Sequence, residues 1–203
     1  MEFIFNERLG LGSMKTVGDK VGSFKVVGVS PEVLEDGTYF QELTEESFAG
    51  QWKVVVFYPK DFTFVCPTEI VEYDKLNEEF KSRNAVLLSG STDNEFCKLA
   101  WKEAHPDLVK MTSWMFADTR TDYGWDDDGN RIFGSLVDNI GVRHESGVAL
   151  RATVIINPDN VIEHITVNGL NTGRNAQETL RLLDAIQTGE LTACGREIGG
   201  DTL

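Results

Sequence analysis

Short runs that are apolar at every position alternate along this chain with stretches that are apolar at every third or fourth position. Val54-Val55-Val56-Phe57, Ala85-Val86-Leu87-Leu88 and Val154-Ile155-Ile156 are of the first kind. Runs of that length, rich in β-branched residues, predict strands buried on both faces. The first covers about Lys53 to Tyr58, and the second about Ala85 to Gly90. Between them Ile70, Tyr73, Leu76 and Phe80 recur at helical spacing, with Glu72, Asp74, Glu78 and Glu79 off that stripe. This predicts a helix that follows Cys66 and runs to about Arg83. A second helix is predicted from Asp93, as N-cap, to Lys102. Leu150–Asn157 and Val161–Val167 flank Pro158-Asp159-Asn160, a tight-turn sequence, and predict an antiparallel hairpin. A last helix starts at Asn175, paired with Glu178 as in a capping box, buries Leu180, Leu183 and Ile186, and ends at Gly189.

The remaining segments carry weaker patterns. Residues 15–29 suggest a short N-terminal hairpin or edge segment, and residues 30–50 are polar and turn-rich, with one helical turn over Thr44–Phe48. Met111–Asp118 suggests a short strand, Asp126–Arg131 a loop, and Phe133–Gly141 a short helix. Strand-helix-strand-helix, followed by a strand hairpin and a closing helix, is an α/β layered arrangement.

Composition narrows the partners. With 203 residues, the chain suits one domain with a substantial core. The 33 acidic residues exceed the 19 Lys and Arg, for a formal charge of −14. That argues against nucleic acid or an anionic membrane as partner, since both need a cationic face. Cys66, Cys97 and Cys194 are too few and too scattered for a disulfide scaffold, and with the dispersed His105, His144 and His164 they form no zinc or iron–sulfur ligand set. Asp126-Asp127-Asp128-Gly129-Asn130 is calcium-loop-like, but Gly124 and Ser135 fall at the first and last ligand positions, so it reads as a solvated turn. No nucleotide fingerprint is present, so no cofactor is expected. No stretch is long and apolar enough for a membrane span, and Met1 to Met14 lacks the pattern of a secretory signal, so the expectation is a cytoplasmic protein. Residues 1–14 read as an N-terminal extension or a cloning remnant, 15–188 as the main domain, and 189–203 as a C-terminal tail.

Candidate chemistry gathers at Cys66, which lies between a strand and a helix start. Pro67 suits the first helical position, where its missing N–H costs nothing. A thiol attacks only as the thiolate, and backbone N–H groups and the positive end of a helix dipole favour that anion. Thr63, three residues earlier, offers a hydroxyl to the sulfur or to a bound oxygen substrate. Pro59 and Pro67 stiffen the backbone on either side. The alternative is a buried, inert cysteine.

Pro59-Lys60-Asp61-Phe62-Thr63-Phe64-Val65-Cys66-Pro67-Thr68-Glu69 resembles the active-site signature of peroxiredoxins, Pro-x-x-x-Thr-x-x-Cys. The flanks resemble the typical two-cysteine group that includes the peroxidase subunit of bacterial alkyl hydroperoxide reductase. The likeness runs from Val17 to about Cys194. It implies a thioredoxin-like fold with peroxiredoxin additions, a central mixed sheet flanked by helices.

The resemblance also assigns roles. Cys66 would be the peroxide-reactive thiol. Arg151 is the one charged residue in Arg151-Ala152-Thr153-Val154-Ile155-Ile156. By itself it is equally a strand-edge charge; in the family such an arginine lies beside the reactive sulfur and a peroxide oxygen. Glu69 and Arg174 match positions that support that arginine, although Glu69 alone is also an ordinary first-turn acid. Cys194 matches the resolving cysteine, which attacks the partner subunit's sulfenic acid, and its bland alternative is an incidental tail thiol. Gly195 and Arg196 follow it where the family usually has Pro or Asn and then a nearby Trp. Cys97 reads as a packing residue, with an auxiliary redox thiol as the minority reading. The implied partners are a hydroperoxide substrate, a disulfide reductase of thioredoxin or flavoprotein type, and a second copy of the chain in a homodimer, itself assembled into a ring. A one-cysteine peroxidase and a chaperone or redox-signalling scaffold are the competing functions.

Overall fold

The computed structural model describes residues 14–120, 123–125 and 131–203. In chain order the elements are β1 (Val26–Val29), β2 (Phe40–Leu43), β3 (Trp52–Phe57), α1 (Cys66–Asp74), α2 (Asn77–Ser82), β4 (Ala85–Ser91), α3 (Glu95–Ala104), β5 (Trp114–Ala117), β6 (Tyr123–Trp125), β7 (Arg131–Phe133), α4 (Leu136–Ile140), β8 (Arg151–Ile156), β9 (Ile162–Asn168) and α5 (Ala176–Gln187). Seven strands form one mixed sheet in the order β2-β1-β5-β4-β3-β8-β9, with β3, β4 and β5 parallel and β8 antiparallel to β3. This is the central mixed sheet flanked by helices that the family resemblance implied.

Successive side chains on a strand face opposite ways, and β3 shows why its run carries no polar alternation. Val54 and Val56 pack with Tyr73, Phe80, Leu180 and Leu183 on the side of α1, α2 and α5. Val55 and Phe57 pack with Leu136, Val137 and Ile140 of α4 on the other. Each fully buried aliphatic or aromatic side chain of this kind contributes about 1.5–3 kcal/mol. Gly90 of β4 sits opposite Phe116 in the register with β5, and a Cβ there would fall 2.4 Å from the Phe116 ring. Only glycine lets these two strands pack at that point.

Several expectations are corrected. The stretch 30–50 contains β2, the sheet edge, where only Leu43 is buried. β1 is therefore one strand in from the edge, between β2 and β5. The helix after Cys66 breaks at Lys75–Leu76 into α1 and α2. Residues at the break bond sideways: Asp74 accepts from the Thr112 and Ser113 amides, and Asn77 Nδ2 donates to Thr112 Oγ1. The apolar stripe survives, since Ile70, Tyr73, Leu76 and Phe80 are all buried. Asn94, not Asp93, caps α3 and accepts from the Cys97 amide at 2.8 Å. Asp93 is instead drawn towards the loop before Cys66, accepting from the Asp61 amide. Arg131 belongs to β7, which pairs antiparallel with β6 in a separate two-stranded sheet. The acidic run 126–130 lies outside the described residues, as do residues 1–13. Ser135 caps α4 by accepting from the Asp138 amide, and Gly141, with φ of 82°, ends that helix as expected. Asn175 caps α5, but Glu178 spends both carboxylate oxygens on Arg181 rather than closing a capping box.

Candidate active site

α1 begins at Cys66 itself, so Pro67 is the second helical residue rather than the first. Val65 caps the helix without a side-chain bond, and its carbonyl accepts from the Thr68 and Glu69 amides. The Cys66 sulfur therefore lies at the positive end of the helix dipole, where an anion is favoured. It is only 1% exposed, enclosed with Tyr58, Ile70 and Trp101.

Chain topology brings the cations. β8 lies beside β3, which places Arg151, at the start of β8, next to the beginning of α1. Arg151 Nη1 lies 3.4 Å from Cys66 Sγ and donates to Glu69 Oε2 at 2.6 Å, while its Nε donates to the Leu170 carbonyl at 2.8 Å. Glu69 Oε1 accepts from the Arg174 backbone N–H at 3.0 Å and Nε at 2.8 Å, and Oε2 accepts from Arg174 Nη2 at 3.1 Å. Arg174 Nη1 continues to the Ala152 carbonyl at 2.7 Å. The side chains of Arg151, Glu69 and Arg174 are all at most 5% exposed. Two guanidinium groups cannot lose their charge, and one carboxylate offsets only one of them. The cluster therefore carries an excess positive charge beside the Cys66 sulfur, and a buried cation favours an anion within reach.

Cys66, Glu69, Arg151 and Arg174 thus form one network. Pro59 is buried in the loop before α1, and Pro67 is buried within the helix start. Thr63 is in the same loop, half-buried, and its hydroxyl donates to the Lys60 carbonyl at 2.9 Å, leaving its oxygen lone pairs to accept. Thr63, Phe64, Pro67, Thr68, Val71 and His105 line a surface cleft over the start of α1.

Cys194 stands apart. It is exposed and unpaired in the tail. That tail is docked: Arg196, 8% exposed, binds Asp184 Oδ2 at 2.8 Å and the Gly200 carbonyl at 2.9 Å, and the Gly199 amide also reaches Asp184 at 2.9 Å. Arg196, one of the two residues that depart from the family pattern, thus ties the tail to α5. Cys97 is half-buried on α3, and burial, then the negative charges of Asp61 and Asp93, push its thiol up.

A family model described as AhpC/TSA family matches residues 17–165. The chain belongs to the AhpC/TSA family. Alkyl hydroperoxide reductase C of Mycolicibacterium smegmatis is 36% identical over 197 residues, covering 94% of each chain. Peroxiredoxin prdx-2 of Caenorhabditis elegans is 37% identical over 171 residues, covering 81% of this chain and 79% of that relative. Among solved structures, Mycobacterium tuberculosis AhpC superposes with a TM-score of 0.75 at 37% identity, covering 89% of this chain and 97% of that one. The reduced 2-Cys peroxiredoxin of Plasmodium vivax gives a TM-score of 0.77 at 30% identity, covering 93% and 92%. The chain is therefore a peroxiredoxin of the two-cysteine, alkyl hydroperoxide reductase C type, as its signature resemblance implied. Among the described residues no helix is long and apolar enough to cross a membrane, and no group of three His, Cys, Asp or Glu side chains is placed to hold a metal.

Beside this site, sequence reasoning passed over a second cluster: Tyr58, Asp61, Ser91 and Lys98, all buried. Burial, then Asp61 and Cys66, hold the Tyr58 hydroxyl well above its usual range. The available signal was Lys98 sharing a helix face with Trp101 three residues on.

Proposed function

We propose that this peroxiredoxin is a thiol-dependent peroxidase that reduces hydrogen peroxide and organic hydroperoxides through Cys66. The observation that carries the reading is the 3.4 Å approach of Arg151 Nη1 to Cys66 Sγ at a helix N-terminus, with Glu69 and Arg174 holding the guanidinium. The Cys66 thiolate attacks the terminal oxygen of ROOH in line with the O–O bond. The S–O bond forms as O–O breaks, and the departing RO⁻ takes up a proton to leave as alcohol or water. Arg151 and the backbone amides entering α1 stabilise the charge on the departing oxygen, and Thr63 accepts from the hydroperoxide O–H. Cys66 is left as the sulfenic acid.

Cys194 of a second copy then attacks that sulfenic sulfur, forming an intersubunit disulfide and releasing water. In this reading residues 15–188 are the peroxidase domain, 189–203 the tail that delivers Cys194, and 1–14 an extension outside the chemistry. The working unit is a homodimer, joined into a ring of dimers in the cytoplasm. A disulfide reductase of thioredoxin or flavoprotein type returns both thiols to the reduced state.

Non-reducing electrophoresis after one equivalent of peroxide tests the scheme. A dimer band that is lost in both Cys66→Ser and Cys194→Ser is expected. A wild-type band that stays monomeric while peroxide is consumed assigns resolution to an external thiol and overturns the role of Cys194.

A further inference from the structure

The buried cluster around Lys98 has no part in the chemistry just described, yet it grips the loop that leads into Cys66. Lys98 on α3 has no exposed surface. Its Nζ donates to Ser91 Oγ at 2.7 Å, to Asp61 Oδ1 at 3.1 Å and to Tyr58 Oη at 3.1 Å. The Asp61 side chain is 1% exposed. Its backbone N–H donates to Asp93 Oδ2 at 2.8 Å, and Ser91 Oγ donates to Asp61 Oδ1 at 3.1 Å. Burial pulls the Lys98 ammonium down, and Asp61 opposes that fall.

One ammonium thus holds the loop at two points, Tyr58 where it leaves β3 and Asp61 three residues on. Next to Asp61, Phe62 has φ of 53°, a left-handed conformation that a bulky residue adopts only when its surroundings impose it. The Phe62 ring rests near Trp101, with centroids 5.9 Å apart, and Trp101 lies one helical turn from Lys98. α3 therefore holds the residue before the strained position through Lys98 and offers Trp101 to one side of the exposed Phe62 ring. Thr63 follows directly.

Buried ion pairs are weak contributors to stability, and apolar replacements of both partners are often tolerated. Stability alone does not explain a fully buried lysine under a reactive loop. We propose that Lys98 is a positioning residue for the peroxide reaction: by fixing Tyr58 and Asp61 it keeps Phe62 left-handed, and so aims Thr63 and the amides entering α1 at the incoming hydroperoxide. This rests on the reading of Cys66 as the peroxide-reactive thiol.

Two reactions of the same sulfur separate aim from reactivity. Iodoacetamide needs a thiolate and access to it, whereas a hydroperoxide also needs aimed groups around its oxygens. In Lys98→Met the hydroperoxide rate is expected to fall by about tenfold or more, as small misplacements of reacting groups do, with alkylation of Cys66 changed by less than about threefold. Because Lys98→Met leaves the Asp61 carboxylate buried without its cation, the double variant Asp61→Asn/Lys98→Met removes both charges. It is expected to keep a cooperative melting transition and to show the same split between the two reactions. Wild-type hydroperoxide reactivity in the double variant overturns the proposal. So does a parallel fall in both reactions, which assigns the effect to charge rather than aim. Cys66→Ser, measured alongside, is expected to be inactive; hydroperoxide turnover there sinks the Cys66 reading itself rather than the role of Lys98.

Discussion

Replacing Arg151 with Met tests the network from its centre. The change removes the cation 3.4 Å from Cys66 Sγ and leaves Glu69, buried nearby, with Arg174 as its remaining ion partner. At an effective dielectric of about 20, two opposite charges at that distance attract by about 5 kcal/mol. Glu69 Oε2, 2.6 Å from the same Nη1, offsets part of this before the reaction begins. What remains is stabilisation of the charge that develops on the leaving oxygen, and a preorganised donor of that kind is worth about 3–4 kcal/mol, or about 10²–10³ in rate. Stability should suffer less than the rate, because Arg174 retains its backbone N–H, Nε and Nη2 contacts to Glu69. Arg151→Lys keeps a charge but cannot span the Leu170 carbonyl, Glu69 and the sulfur together, so it should fall between wild type and Met. Stopped-flow mixing of reduced protein with excess hydrogen peroxide reads the second-order rate directly, with a thermal melt confirming the fold. A folded Arg151→Met variant that reacts at the wild-type rate would refute the reasoning.

Other predictions follow from the same contacts. Cys97→Ser should leave peroxide turnover unchanged, and in the wild type Cys97 should alkylate more slowly than an ordinary exposed thiol, since burial, Asp61 and Asp93 push it up; rapid labelling of Cys97 contradicts this. Asp118, buried, is raised from 3.8 to about 7. Its protonated form favours the fold, so its contribution is fully present below about pH 4 and is lost as pH rises through about 7, a swing of about 4 kcal/mol. The melting temperature of Asp118→Asn relative to wild type should therefore climb over that window, and a flat difference would contradict it. Arg196→Ala should loosen the tail, read as faster hydrogen exchange at the Gly199 amide, which is bonded to the same Asp184 oxygen as Arg196; unchanged exchange argues against the anchor.

Much of the fold was legible because β3, β4 and β8 are covered on both faces and so are written as unbroken apolar runs. α5 was legible from its stripe and its Asn175 cap. β2 was not, because an edge strand with one buried residue carries no alternation. The break at Lys75 was hidden because the apolar stripe passes through it unchanged, while the groups that bond to Asp74 beside it, Thr112 and Ser113, lie far along the chain. At the site, Cys66 stood out by its motif and Arg151 as a lone charge in an apolar strand, while the roles of Arg151, Glu69 and Arg174 came from the family resemblance alone. Lys98 was overlooked since a lysine on a helix is ordinarily solvated. The docking of Arg196 on Asp184 depends on two elements meeting, which neither segment records by itself.

The most direct measurement is mass-spectrometric trapping of sulfenic acid with a 1,3-dione after reduced protein meets hydroperoxide. The adduct is expected on Cys66, in an amount that tracks the peroxide consumed and is larger in Cys194→Ser. Peroxide consumption that proceeds with Cys66 unmodified, or that persists in Cys66→Ser, contradicts the account.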